Sequence, residues 1–68
     1  MNPKSTSLRL NEMRAHAIET FGSKADAEAW LHRENLILGA TPISMAESDS
    51  GLMEVKKVLN AISYGGVV

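Results

Sequence analysis

Apolar residues early in the chain fall at Leu10, Met13, Ala17, Ile18 and Phe21. Spacings of three and four put them on one stripe of a helix. Glu12, Arg14, His16 and Glu19 lie largely off that stripe, and Gly22 stands where a helix commonly ends in a left-handed residue. The pattern predicts a helix over Leu8–Phe21, preceded by Met1–Ser7 as a polar, flexible lead-in containing Pro3. Ser23 opens the next helix: its hydroxyl can accept from the backbone N–H of Asp26, a variant of the capping box. Ala25, Ala27 and Ala29 raise its helix propensity, and Ala27, Trp30 and Leu31 form an inward face. Trp30 reads as a core anchor. This helix is expected to fade near Asn35, a residue type that tolerates the left-handed conformation.

Leu36-Ile37-Leu38-Gly39-Ala40 is a short apolar run. Periodicity alone permits a strand, but without a partner strand a buried connecting segment is the expectation. Thr41-Pro42 starts a short helix over Pro42–Glu47, with Thr41 as N-cap, Pro42 in the first position, and Ile43 with Met45 or Ala46 facing in. After Ser48-Asp49-Ser50-Gly51, which offers another N-cap, the last helix is predicted over Gly51–Ser63. Leu52, Val55, Leu59 and Ile62 form its stripe, widened by Val58, while Glu54, Lys56, Lys57 and Asn60 face solvent. Gly65-Gly66 ends it, leaving Tyr64 beyond the helix and Val67-Val68 as an apolar tail. The fold class is all-α: a small single-domain helical bundle of about four helices, one of them short, over residues 8–68.

A chain of 68 residues makes one domain and buries only about 60% of the surface its unfolded form exposes. Small domains usually need a staple. With no cysteine there is no disulfide and no thiolate metal site, which leaves helix packing and an oligomer as options. Seven basic against eight acidic residues give a net charge of −1, and of the basic residues only Lys56 and Lys57 are adjacent. Nucleic-acid binders usually carry a basic excess, so DNA binding by this chain alone is disfavoured. The N-terminus has no apolar run resembling a signal peptide, and no stretch is apolar enough to span a membrane. A cytoplasmic location is the expectation.

Candidate chemistry is sparse. Glu12, His16 and Glu19 share a helix face, and Glu28 and His32 form another i, i+4 pair. Metal sites usually draw ligands from more than one element, so a solvated face with charge pairs of about 0.2–0.5 kcal/mol each is the better reading. There is no cysteine nucleophile, no Gly-x-Ser-x-Gly elbow and no phosphate-binding glycine loop. The expectation is therefore a protein that is not an enzyme, with no catalytic residue, metal or cofactor. Tyr64 is equally open to two readings: packing back onto its own domain, or serving at a protein interface, where such amphipathic rings are enriched. For Val67-Val68, fraying suffices as an explanation, but a Gly-Gly hinge could also lead them into a partner's groove.

From Phe21 onward the sequence resembles the toxin-binding domain of the Xre/MbcA/ParS antitoxin family. The likeness is carried by Phe21-Gly22-Ser23, Ala27, Ala29-Trp30-Leu31, Asn35, Leu38-Gly39, Pro42, Gly51, Val55, Leu59, Ile62 and Tyr64-Gly65. It covers roughly two-thirds of the chain, in order and at compatible spacings. The resemblance implies an antitoxin of a type II toxin–antitoxin system whose partner is a RES-type toxin that uses or destroys NAD. It further implies that helical surface holds the toxin while the C-terminal segment blocks its active-site cleft. Tyr64 and Gly65 match the family's terminal motif, and Gly66, Val67 and Val68 are the extension expected to run toward the cleft. Two-domain members carry an N-terminal helix-turn-helix. Twenty residues precede Phe21 here, room for one helix, so direct operator binding is not expected of this chain. Ala40 stands where the family often has a second glycine. The alternative reading is a small dimeric helical regulator associated with DNA, recognisable by promoter binding that weakens steeply with salt. A self-association module is a third, and it would form a stable homo-oligomer independent of any neighbouring gene product.

Overall fold

The computed structural model describes residues 3–65. Its first helix, α1, runs Pro3–Phe21, so it starts within the stretch expected as a lead-in. Proline suits a helix's first turn, where its missing N–H costs nothing. The early turns are tied down by polar contacts that hydrophobic periodicity does not register. Arg9 Nε donates to the Ala46 carbonyl at 2.6 Å, and its Nη2 donates to the Glu47 carbonyl at 2.8 Å. Gly22, at φ +75°, then turns the chain out of α1, and its N–H donates to the Ile18 carbonyl.

Helix α2 spans Lys24–Leu31, capped by Ser23, whose hydroxyl accepts from the Asp26 N–H as expected. It ends at Leu31, earlier than the sequence predicts. Leu31 is the last of its buried residues, and the exposed His32, Arg33 and Glu34 that follow offer nothing to hold a further turn against the core. Asn35 is not left-handed; no residue other than glycine has a positive φ among the described residues. Its side chain instead organises a turn. Asn35 Oδ1 accepts from the N–H groups of Ile37 (2.8 Å) and Leu38 (3.1 Å), and Asn35 pairs with Ala40 in an isolated antiparallel bridge.

The segment expected to be buried is thereby turned outward. Leu36 is 99% and Ile37 82% exposed, and of the two plus Leu38 only Leu38 packs against the core. The four-residue turn, closed at its base by the Asn35–Ala40 bridge, carries Leu36 and Ile37 away from the core. Gly39, at φ +74°, takes the left-handed position that brings the chain back.

Pro42–Glu47 forms the short helix with the expected bounds, wound as 3₁₀. Pro42 and Ala46 are buried, with Ile43 and Met45 packed at the edge of the core. Thr41 makes no side-chain cap; its carbonyl accepts from the Ser44 N–H and hydroxyl. Helix α3 runs Asp49–Gly65, with the Ser48 hydroxyl accepting from the Gly51 N–H at 3.0 Å. It extends past Ser63, so Tyr64 lies within the helix and not beyond it.

α1 packs against α2, the 3₁₀ segment and α3. The core they enclose comprises Met13, Ala17, Ala27, Leu31, Ala46, Leu52, Val55 and Leu59. Trp30 is half-buried at its margin, its ring centroid 5.7 Å from that of Phe21 at a 46° tilt. Such a pair contributes about 0.5–1.5 kcal/mol beyond its burial. Among the described residues, no helix is long and apolar enough to cross a membrane.

Candidate partner-binding surface

The C-terminal half of α3 borders two grooves of different chemistry. On one side, facing α1, lies a polar groove of about 290 Å³ lined by His16, Glu19, Thr20, Asn60, Ser63 and Tyr64. His16 Nε2 sits 3.1 Å from Asn60 Oδ1, and Thr20 Oγ1 donates to the His16 carbonyl. The His16 imidazole and the Thr20 hydroxyl are thus both hydrogen-bonded at the groove. Glu12, third of the carboxylate and imidazole groups on this helix face, pairs with Lys56 at 3.1 Å. No group of three or more metal-ligating side chains forms among the described residues.

On the other side lies an apolar groove of about 420 Å³, formed by Val58, Ala61 and Ile62 of α3 and by Ile37 from the outward-facing turn. Glu54 and Lys57 stand at its rim, 3.6 Å apart and paired with each other. Ile62, expected in the core stripe, is 38% exposed. α3 continues its stripe beyond the reach of the elements that cover Leu52, Val55 and Leu59, so Ile62 comes to the groove's edge. Val58 is buried, as its place beside the stripe implied.

Of the residues expected to meet a partner, Tyr64 is 75% exposed in the last turn of α3, which overturns the reading that it packs back onto its own domain. Gly65 is the last residue of the helix. Gly66, Val67 and Val68 lie outside the described residues. The sequence reading missed Leu36, Ile37 and Ala61. The signal available for the first two was turn chemistry: an Asn before and a Gly after a short apolar run.

The ion pairs are structural. Arg14 and Glu28 join α1 to α2, with His32 Nε2 3.4 Å from the same carboxylate. The hydrogen bond from Arg14 is the main reason the Glu28 carboxyl is held below its ordinary value.

A family model described as the antitoxin Xre/MbcA/ParS C-terminal toxin-binding domain matches residues 16–65. The chain belongs to this family. No curated protein and no solved structure matches it. The matched span of the Xre/MbcA/ParS domain begins at His16, within α1, and ends at the last residue of α3. It therefore takes in both grooves, the outward turn and Tyr64. An all-helical toxin-binding domain of an antitoxin accounts for a small bundle that carries apolar side chains on its outside.

Proposed function

We propose that this chain is the antitoxin of a type II pair, acting in the cytoplasm on a RES-type, NAD-consuming toxin whose active-site cleft it covers. The covering part is the end of α3 together with Tyr64, Gly65, Gly66, Val67 and Val68. One observation carries this reading: a large amphipathic ring, Tyr64, stands exposed at the tip of a helix belonging to a toxin-binding domain. Buried aromatic anchors commonly dominate protein interfaces. On this reading the chain contributes shape and apolar contact, not chemistry. Its near-neutral charge also favours a protein partner over the DNA-associated alternative.

The test is co-expression with the product of the adjacent open reading frame, scoring growth and cellular NAD. The full chain is expected to restore both. A chain lacking residues 65–68 is expected to keep its helical circular dichroism and lose protection. Full protection by that truncated chain would sink the occlusion mechanism.

A further inference from the structure

We propose that the Leu36–Ile37 turn and the α3 groove of Val58, Ala61 and Ile62 form a second docking site for the toxin, receiving apolar side chains from the toxin's surface. This site holds the partner, whereas the Tyr64–Val68 end covers the cleft. The inference rests on the reading of the chain as a toxin-neutralising partner and not on how its end acts.

The exposure of the turn and the way it is held converge on it. Leu36 and Ile37 stand almost wholly in water, and Leu36 contributes nothing to the chain's own core. Adjacent exposed aliphatic side chains beside an apolar groove mark a site of association. The turn that carries them is held from within, by two amide hydrogen bonds to Asn35 Oδ1 and by the Asn35–Ala40 bridge. A tip already ordered loses little entropy on binding.

The occupant follows from charge, position and family. Glu54 and Lys57 at the rim satisfy each other, so the groove offers no surplus positive charge to a nucleic acid or an anionic membrane. Along α3, positions 58, 61 and 62 share one side of the helix, and Tyr64 stands two residues past Ile62 on the flank that borders the polar groove, so both places lie on the last turns of one helix. One partner can thus cover both places at once. Every residue of the site falls inside the span matched to a toxin-binding domain.

The experiment measures the affinity of the full chain for the purified product of the adjacent open reading frame, alongside melting temperature and sedimentation. The double variant Leu36→Ser with Ile37→Ser, and separately Ala61→Arg, are expected to keep the melting temperature and bind at least about tenfold more weakly. Unchanged affinity in both variants overturns the proposal. So does a variant that abolishes self-association while leaving toxin affinity intact, since the occupant is then a second copy of the chain. The chain lacking residues 65–68 separates the two ideas. If it still binds but fails to protect, while the turn variant fails to bind, both stand. If the turn variant binds normally and the truncated chain fails to protect, only the docking site falls. If the turn variant fails to bind and the truncated chain protects, only the occlusion mechanism falls.

Discussion

Gly51 in the first turns of α3 lies directly against the backbone of Met45 in the 3₁₀ segment: a Cβ on Gly51 would stand 2.0 Å from the Met45 carbonyl oxygen. The obstacle is main chain, so no side-chain rotation can relieve it. Gly51→Ala, which would ordinarily favour a helix, is expected to destabilise this one by about 1–3 kcal/mol or more. Urea denaturation checks it; an alanine variant as stable as the parent would contradict the close approach.

Arg9 is the second point at which the 3₁₀ segment is held. Its guanidinium caps the segment's C-terminal carbonyls at Ala46 and Glu47 and reaches Asp49 in the first turn of α3 at 3.3 Å. The carbonyls at a helix end otherwise lack partners. Arg9→Met keeps the aliphatic stem and removes the donors, with an expected loss of about 1–3 kcal/mol. The exposed Asp49 adds little, so Asp49→Asn is expected to change stability by less than about 1 kcal/mol. Equal losses in the two variants would assign the stabilisation to the ion pair and not to the carbonyls.

Glu28 predicts an acid dependence. Its carboxyl titrates below the ordinary 4.5 because Arg14 hydrogen-bonds to the charged form. A lowered folded value stabilises the protein above the unfolded value and ceases to do so as pH falls through the folded one. The stability gap between the parent and Glu28→Gln should therefore be present at pH 7 and narrow as pH drops below about 4.5. Urea midpoints at pH 7 and pH 3 measure it. A gap independent of pH would mean that the carboxylate's charge plays no part.

Much of the architecture is legible from residue order, and the failures share a cause. The stripe from Leu10 to Phe21, the Ser23 cap, the Thr41-Pro42 start and the stripe through Leu52, Val55 and Leu59 are local signals, and the helices follow them. Leu36 and Ile37 misled because an apolar run is indifferent to whether anything covers it; Asn35 and Gly39 decide that by closing a turn beneath it. Ile62 misled because periodicity reports which face a residue occupies and not how far the covering elements extend. Arg9 was invisible for a third reason: its partners are backbone carbonyls distant in sequence, which no pattern of side chains reveals. The surface residues of the candidate site thus lay where hydrophobic spacing is least informative.

Tyr64 offers the most direct test of the helix end. It is exposed and makes no core contact, so Tyr64→Ala should leave the melting temperature unchanged while weakening toxin binding by about tenfold or more. Calorimetric titration against the toxin reads the affinity. A variant that binds as tightly as the parent would remove Tyr64 from the interface.

The closed turn at Asn35 also bears on how such a protein can diverge. Because Oδ1 of Asn35 and the bridge to Ala40 shape the loop without help from the side chains at 36 and 37, those two positions can change identity while the scaffold stays as it is. If the turn docks the toxin as proposed, duplicated copies in one cell could acquire separate allegiances through two codons, with no repair needed in the helices behind them.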